Sequence, residues 1–194
     1  LFMSLKKLTD LNHKKAEQSK WAQLLISGEM TGRQYGQYLY NQLVVYSALE
    51  SRAHELNLFI KFRFLNDIKR VLPLTFDLMF FRHNTGLEKS TLDYVEYTKQ
   101  MEEKDVLAHI YVRHFGDMHG GQIIKRNLPP TDRLEQLTPE STSDEWTNLY
   151  TFENKYELIK NVRNILTLDM AGEANLCFKF AMDLFEDLEK HFDL

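Results

Sequence analysis

Three of the eight glycines in this 194-residue chain stand within one hexapeptide, Gly116-Asp117-Met118-His119-Gly120-Gly121, inside a window of otherwise helical spacing. A glycine in a helix interior costs about 0.5–1 kcal/mol relative to alanine, so the cluster needs a reason. Gly116 and Gly120 are four apart and share one face, where missing side chains let another body come against the backbone. That body is either a flat ligand or a neighbouring helix. Asp117 sets a carboxyl beside the same face. A second pair, His13 and Glu17, stands at i and i+4. At that spacing a carboxylate orients an imidazole through one ring nitrogen and leaves the other for a metal. The ordinary alternative is a surface or packing histidine. Lys6 and Lys7, about two turns upstream, are placed to meet acidic groups of a ligand or simply to face water.

Other chemistries are set aside by what the chain lacks. Its one cysteine, Cys177, excludes an intrachain disulfide and any multi-cysteine zinc or iron–sulfur site. It is read as a small core residue, and the chain as resident in a reducing, cytoplasm-like compartment. There is no Glu-x-x-His pair for a di-iron bundle, no Gly-x-Ser-x-Gly elbow, no Walker loop and no Gly-x-Gly-x-x-Gly fingerprint. The formal charge of −4 argues against nucleic acid as a partner. No run approaches the ~20 apolar residues of a membrane span, so no membrane anchor is expected. Leu1-Phe2-Met3-Ser4-Leu5-Lys6-Lys7 lacks the apolar centre of a secretory leader. No uninterrupted exposed apolar stripe stands out, which predicts a monomer or weak dimer.

The elements that must position these residues read as helices throughout. Only four prolines occur, and neither alternating strands nor Asn-Gly or Asp-Gly hairpin turns are found. The expected fold is all-α, one domain over residues 1–194, with about seven or eight helices. A helix from Leu5 to a stop at Ser27-Gly28 carries His13, and a second, capped by Thr31, runs to about His54. Phe59 to Phe81 holds one or two helices with a break just before Pro73. Thr91–Lys104 and the glycine-interrupted Asp105–Leu128 follow. After a loop from Pro129 to Ser143, Asp144 is expected to cap a helix to about Leu168, and Ala171–Phe192 is the last.

The stretch Ala108-His109-Ile110-Tyr111-Val112-Arg113-His114-Phe115-Gly116-Asp117-Met118-His119-Gly120-Gly121-Gln122 closely resembles a segment of the heme oxygenases, approximately Ala-His-x-Tyr-x-Arg-Tyr-Leu-Gly-Asp-Leu-Ser-Gly-Gly-Gln. Lys6, Thr9, His13, Ala16 and Glu17 are in step with the family's Lys-x-x-Thr-x-x-x-His-x-x-Ala-Glu. Val45-Tyr46-Ser47-Ala48-Leu49-Glu50 and Glu173-Ala174-Asn175, with Phe178, Leu184, Phe185 and Glu186, extend the likeness over nearly the whole chain. It is weakest between about 57 and 90 and across 129–150.

The resemblance implies a heme-oxygenase-like bundle with heme b, both cofactor and substrate, between a proximal helix and a glycine-kinked distal helix. His13 would be the iron ligand and Glu17 its partner. Lys6, Thr9, Tyr111, Phe178 and Phe185 would complete the heme pocket. Gly116 and Gly120 would be the close-approach points, and Asp117 with Arg113 would serve a distal water network that delivers protons. Molecular oxygen and electrons from an external donor would turn heme into biliverdin, carbon monoxide and ferrous iron, through attack at a meso carbon, the α carbon by expectation. That suits bilin pigment synthesis. The chain looks like the soluble cyanobacterial, plastid or virus-carried type, cytoplasmic, or in a host cytoplasm if virus-carried. Ferredoxin would be its donor, docking on Lys6, Lys7, Lys14, Lys15 and Lys20, and a bilin reductase would act downstream.

Three departures stand out. Glu153 and Glu157 occupy positions where the family commonly has a lysine and an arginine for the heme propionates, so Lys155, Lys160 or Arg163, or Lys6 with packing, must serve instead. His119 replaces a serine, and His114 an aromatic residue. They leave open a non-catalytic heme-binding or heme-sensing protein of the same fold. A thiaminase-like enzyme would need Cys177 as a nucleophile in a cleft.

Overall fold

The computed structural model describes residues 4–84 and 86–194; the reading of Leu1 to Met3 for a leader lies outside them. Ten α-helices are found among the described residues: α1 (Leu5–Glu17), α2 (Lys20–Ser27), α3 (Gly32–Glu55), α4 (Leu58–Lys61), α5 (Val71–Leu78), α6 (Lys89–Thr98), α7 (Glu103–His119), α8 (Gly121–Arg126), α9 (Lys155–Ile165) and α10 (Ala171–His191). α10 packs on α1, α2, α6 and α7, and α3 packs on α5, α6 and α7. These two long helices run through both apolar clusters. One gathers around Val45, Leu49, Tyr94, Ala108 and Cys177, the other around Trp21, Tyr35, Leu74, Phe81, Tyr150 and Leu184.

The all-helical expectation holds, with four corrections at element boundaries. The first helix is two. Ser19 is extended at ψ 151° and its hydroxyl accepts the Ala22 N–H, so a new helix is capped where apolar spacing alone ran on. Pro73 produces no break of its own, since it falls in the first turn of α5, where its missing N–H is not needed. α6 stops at Thr98 instead of Lys104 because Glu102 and Asp105 form a reciprocal cap that starts α7.

The largest correction concerns the helix expected from Asp144. Two 3-10 turns, Ser143–Trp146 and Asn148–Tyr150, lie there, and α9 starts only at Lys155, after Asn154 in the left-handed region at φ 48°. Buried side chains have taken the backbone groups a helix would use. The Asp77 carboxylate accepts the N–H groups of Asn148 at 2.9 Å and Leu149 at 2.8 Å. The buried Arg70 guanidinium donates to the carbonyls of Leu149 at 3.2 Å and Thr151 at 2.8 Å, and lies 3.8 Å from the centre of the Phe152 ring.

Candidate functional site

α1 and α7 both lie on α10 and advance with it in the same direction. Asn12 meets Asn175 and His13 meets Phe178 on one side. On the other, His109 meets Glu173, one residue short of the Ala174–Cys177 turn that the rest of α7 flanks. Thr9 of α1 and Tyr111 of α7 touch where the two come together, burial raising the Tyr111 phenol above its ordinary value while the Thr9 hydroxyl opposes the rise. Beyond that contact lie His13 on one helix and Gly116 to Gly120 on the other. Thr9 itself is buried and spends its hydroxyl on the Leu5 carbonyl, 3.0 Å away, so it shapes the wall of the site instead of facing into it.

The His13 imidazole is half-exposed, with Nδ1 3.6 Å from a Glu17 carboxylate oxygen and the ring edge-on to Phe178 at 5.7 Å. That arrangement turns Nδ1 to the protein and leaves Nε2 for a ligand. Among the described residues no group of three or more His, Cys, Asp or Glu side chains stands ready for a bare metal ion. A single imidazole suits a metal that arrives with its remaining ligands.

The glycines divide between the two readings that the sequence left open. A Cβ on Gly121 would sit 2.3 Å from Cδ1 of the buried Tyr150 ring, so this glycine serves helix packing. A Cβ on Gly116 would meet nothing within 4 Å, and one on Gly120 only the Gly116 carbonyl at 3.2 Å. Those two face open space, as a flat ligand requires. The strip therefore fits a porphyrin laid against backbone, and Gly116→Ala separates the two functions of the position. It should leave unfolding stability unchanged or raise it by about 0.5–1 kcal/mol while weakening hemin binding, read by hemin titration beside urea melts. Equal hemin affinity in the alanine variant would remove Gly116 from the ligand face.

Behind the strip, Asp117 is partly buried and accepts a hydrogen bond from the Tyr46 hydroxyl of α3. Burial pushes its carboxyl up to about 7, against the pull of the Tyr46 bond and the Arg70 and Arg113 charges. Arg113 is buried, donates to the Tyr94 hydroxyl at 3.2 Å and lies 4.3 Å over that ring. Tyr94 also meets His109 Nδ1 at 2.9 Å, while His109 Nε2 meets Glu173 at 2.9 Å. His109 thus has both ring nitrogens engaged and none to give a metal. His114 fills its aromatic position by packing edge-on against Tyr46 at 5.0 Å, and burial depresses it to about 3, so the ring is neutral.

At the far rim, α9 supplies the cations. Arg163 stands 5.8 Å from the Phe115 ring centre, and Lys155 donates to the Met118 carbonyl. Lys6 is exposed, as are Glu153 and Glu157. Phe185 lies two turns along α10 from Phe178, its ring 6.5 Å from that of Tyr38. Sequence reasoning gave no site role to Tyr46, Tyr94 or Arg70. Tyr46 and Tyr94 reach side-chain partners 15 or more positions away and Arg70 reaches the Leu149 carbonyl, and nothing in local spacing marks them as more than core.

A family model described as heme oxygenase matches residues 1–187. A heme oxygenase of Guillardia theta is 28% identical over 97% of this chain and 86% of its own length. Heme oxygenase 2 of Synechocystis is 27% identical over 93% of this chain and 80% of that one. The solved structure of heme oxygenase-1 from Synechocystis in complex with heme superposes with a TM-score of 0.78, at 23% identity, over 97% of this chain and 92% of that one.

Proposed function

The chain belongs to the heme oxygenase family, and on that premise we propose that the cleft between α1 and α7 holds heme and that the protein opens it to biliverdin, carbon monoxide and ferrous iron. The observation that carries this reading is the strip at Gly116 and Gly120, where a Cβ on Gly116 would meet nothing within 4 Å and one on Gly120 only the Gly116 carbonyl. When bound, heme supplies both the oxygen-activating iron and the carbon that is oxidised. His13 holds the iron through Nε2, with Glu17 orienting the ring. The bare backbone at Gly116 and Gly120 admits the porphyrin and directs the oxidation to a meso carbon, which we assign as the α carbon.

Asp117 handles protons. A carboxyl near 7 both gives and takes a proton at neutral pH, and the Tyr46 hydroxyl fixes its position while the Arg113 charge acts on it from a distance. Arg163 and Lys6 take the propionates, since Lys155 is committed to the Met118 carbonyl. Ferredoxin supplies electrons from the side of α1, where Lys6, Lys7, Lys15 and Lys20 are exposed and Lys14 is paired with Asp10 at 2.6 Å. A bilin reductase would then consume the product. No helix among the described residues is long and apolar enough to cross a membrane. Cys177 is buried and free, which suits the reducing, cytoplasmic setting in which we place the reaction.

The test is spectroscopic. With one equivalent of hemin, ferredoxin, its NADPH-dependent reductase and catalase, the Soret band should decay as biliverdin absorption grows. A Soret band that persists under active reduction would instead identify a heme carrier. His13→Ala should leave a folded protein whose ferric heme spectrum is altered, and an unaltered spectrum would remove His13 from the iron. Neutralising the α1 lysines should slow ferredoxin-supported turnover, with an unchanged rate counting against that docking face.

A further inference from the structure

His119 is exposed at the open strip, three residues after Gly116 and one before Gly120. Its Nδ1 lies 2.8 Å from the Phe115 carbonyl oxygen. A carbonyl only accepts, so Nδ1 carries the proton and Nε2 the outward lone pair. The ring also leans on Phe115, centroids 5.8 Å apart, which limits its rotation. Metal-binding imidazoles are prepared in this way, one ring N–H given to a backbone carbonyl or carboxylate and the other nitrogen left bare. His13 on α1 is turned in the same sense, with Nδ1 3.6 Å from a Glu17 carboxylate oxygen. On the heme-site reading the two imidazoles would face the same occupant, and no side chain at Gly116 or Gly120 screens the second from it.

Resting on the heme-site reading above, we propose that His119 is a second axial ligand, closing the ferric iron opposite His13 in the resting complex. A ferric iron closed on both sides would be shielded from stray peroxide, and the hydrogen bond to Phe115 holds the imidazole in place for that role.

Absorption and low-temperature electron paramagnetic resonance of the one-to-one hemin complex test this without turnover. The native chain should give a low-spin ferric spectrum with two imidazole ligands, unchanged by alkaline titration. His119→Ser should lose that low-spin signal, become high-spin with a spectrum that shifts on alkaline titration, and return to low-spin when free imidazole is added. Unchanged circular dichroism would show that the variant is folded. A high-spin native complex, or a low-spin complex that survives His119→Ser, overturns the second ligand while leaving His13 and the heme site standing. Failure to form any one-to-one complex overturns both.

Discussion

Gly36→Ala should destabilise the chain by about 3 kcal/mol or more, the largest effect expected of any single methyl group added to it. A Cβ at this position of α3 would lie 2.0 Å from the Arg82 carbonyl oxygen and 3.0 Å from the Phe81 Cβ. A backbone oxygen cannot rotate away as a side chain would, and this stretch is held from several sides. The Arg82 N–H donates to Asp132 at 2.8 Å, the Asn84 N–H to Gln37 at 2.9 Å, and the Thr131 hydroxyl to the Phe80 carbonyl. The midpoint of urea unfolding should fall accordingly. A midpoint equal to that of the native chain would mean that α3 and the Phe81–Arg82 stretch separate easily, and would refute the close crossing.

The second large effect is chemical. Asp117→Ala should lower the rate of biliverdin formation by about 100-fold, the lower end of what a positioned proton donor contributes, while hemin still binds. Asp117→Asn keeps the shape and removes the proton, so a comparable loss there would identify proton transfer as the function. Undiminished biliverdin in either variant would end that assignment.

The same residue leaves a mark on folding. Its carboxyl titrates near 7 in the folded chain against an ordinary value of 3.8. Between those values the folded state keeps a proton that the unfolded chain has lost, so stability falls as pH rises from about 4 to about 7 and stays at the lower level above. The loss is on the order of 2 kcal/mol once partial exposure is allowed for. Asp117→Asn should lack that fall, and parallel curves of stability against pH for the two proteins would contradict a raised carboxyl.

The parts of the site that could be read from the chain are those whose partners lie within a turn or two. His13 with Glu17, and Gly116 with Gly120, declare themselves by spacing because a helix brings i and i+4 together. Even so, spacing could not say which glycine faced a ligand. Only Tyr150, 29 positions from Gly121, separates that packing glycine from its two neighbours. Tyr46 was hidden for the same reason, being one aromatic among many on a buried face of α3 until the fold sets its hydroxyl on Asp117, 71 residues away. The region from 144 to 154 misled because propensity weighs only local groups. Asp77 and Arg70, both buried, claimed its backbone from outside. The break at Ser19 is a milder case, where an N-cap residue outweighed an apolar period that ran unbroken across it.

The anchors around the open strip decide how much of it can move. Asp117 is tied to α3 through Tyr46, and the next residue, Met118, is buried with its carbonyl held by Lys155. On the other side Gly121 is seated on Tyr150 and Gln122 donates to the Tyr150 carbonyl at 2.9 Å. Between these moorings lie His119 and Gly120, where the Gly120 N–H still bonds the Gly116 carbonyl and the Gly120 carbonyl accepts from Ile123 at 2.9 Å and Ile124 at 3.2 Å. The exposed face at Gly116 and Gly120 is therefore backed by fixed points on α3, α9 and the Asn148–Tyr150 turn, so an occupant laid against it meets a wall whose shape is set from behind by the fold.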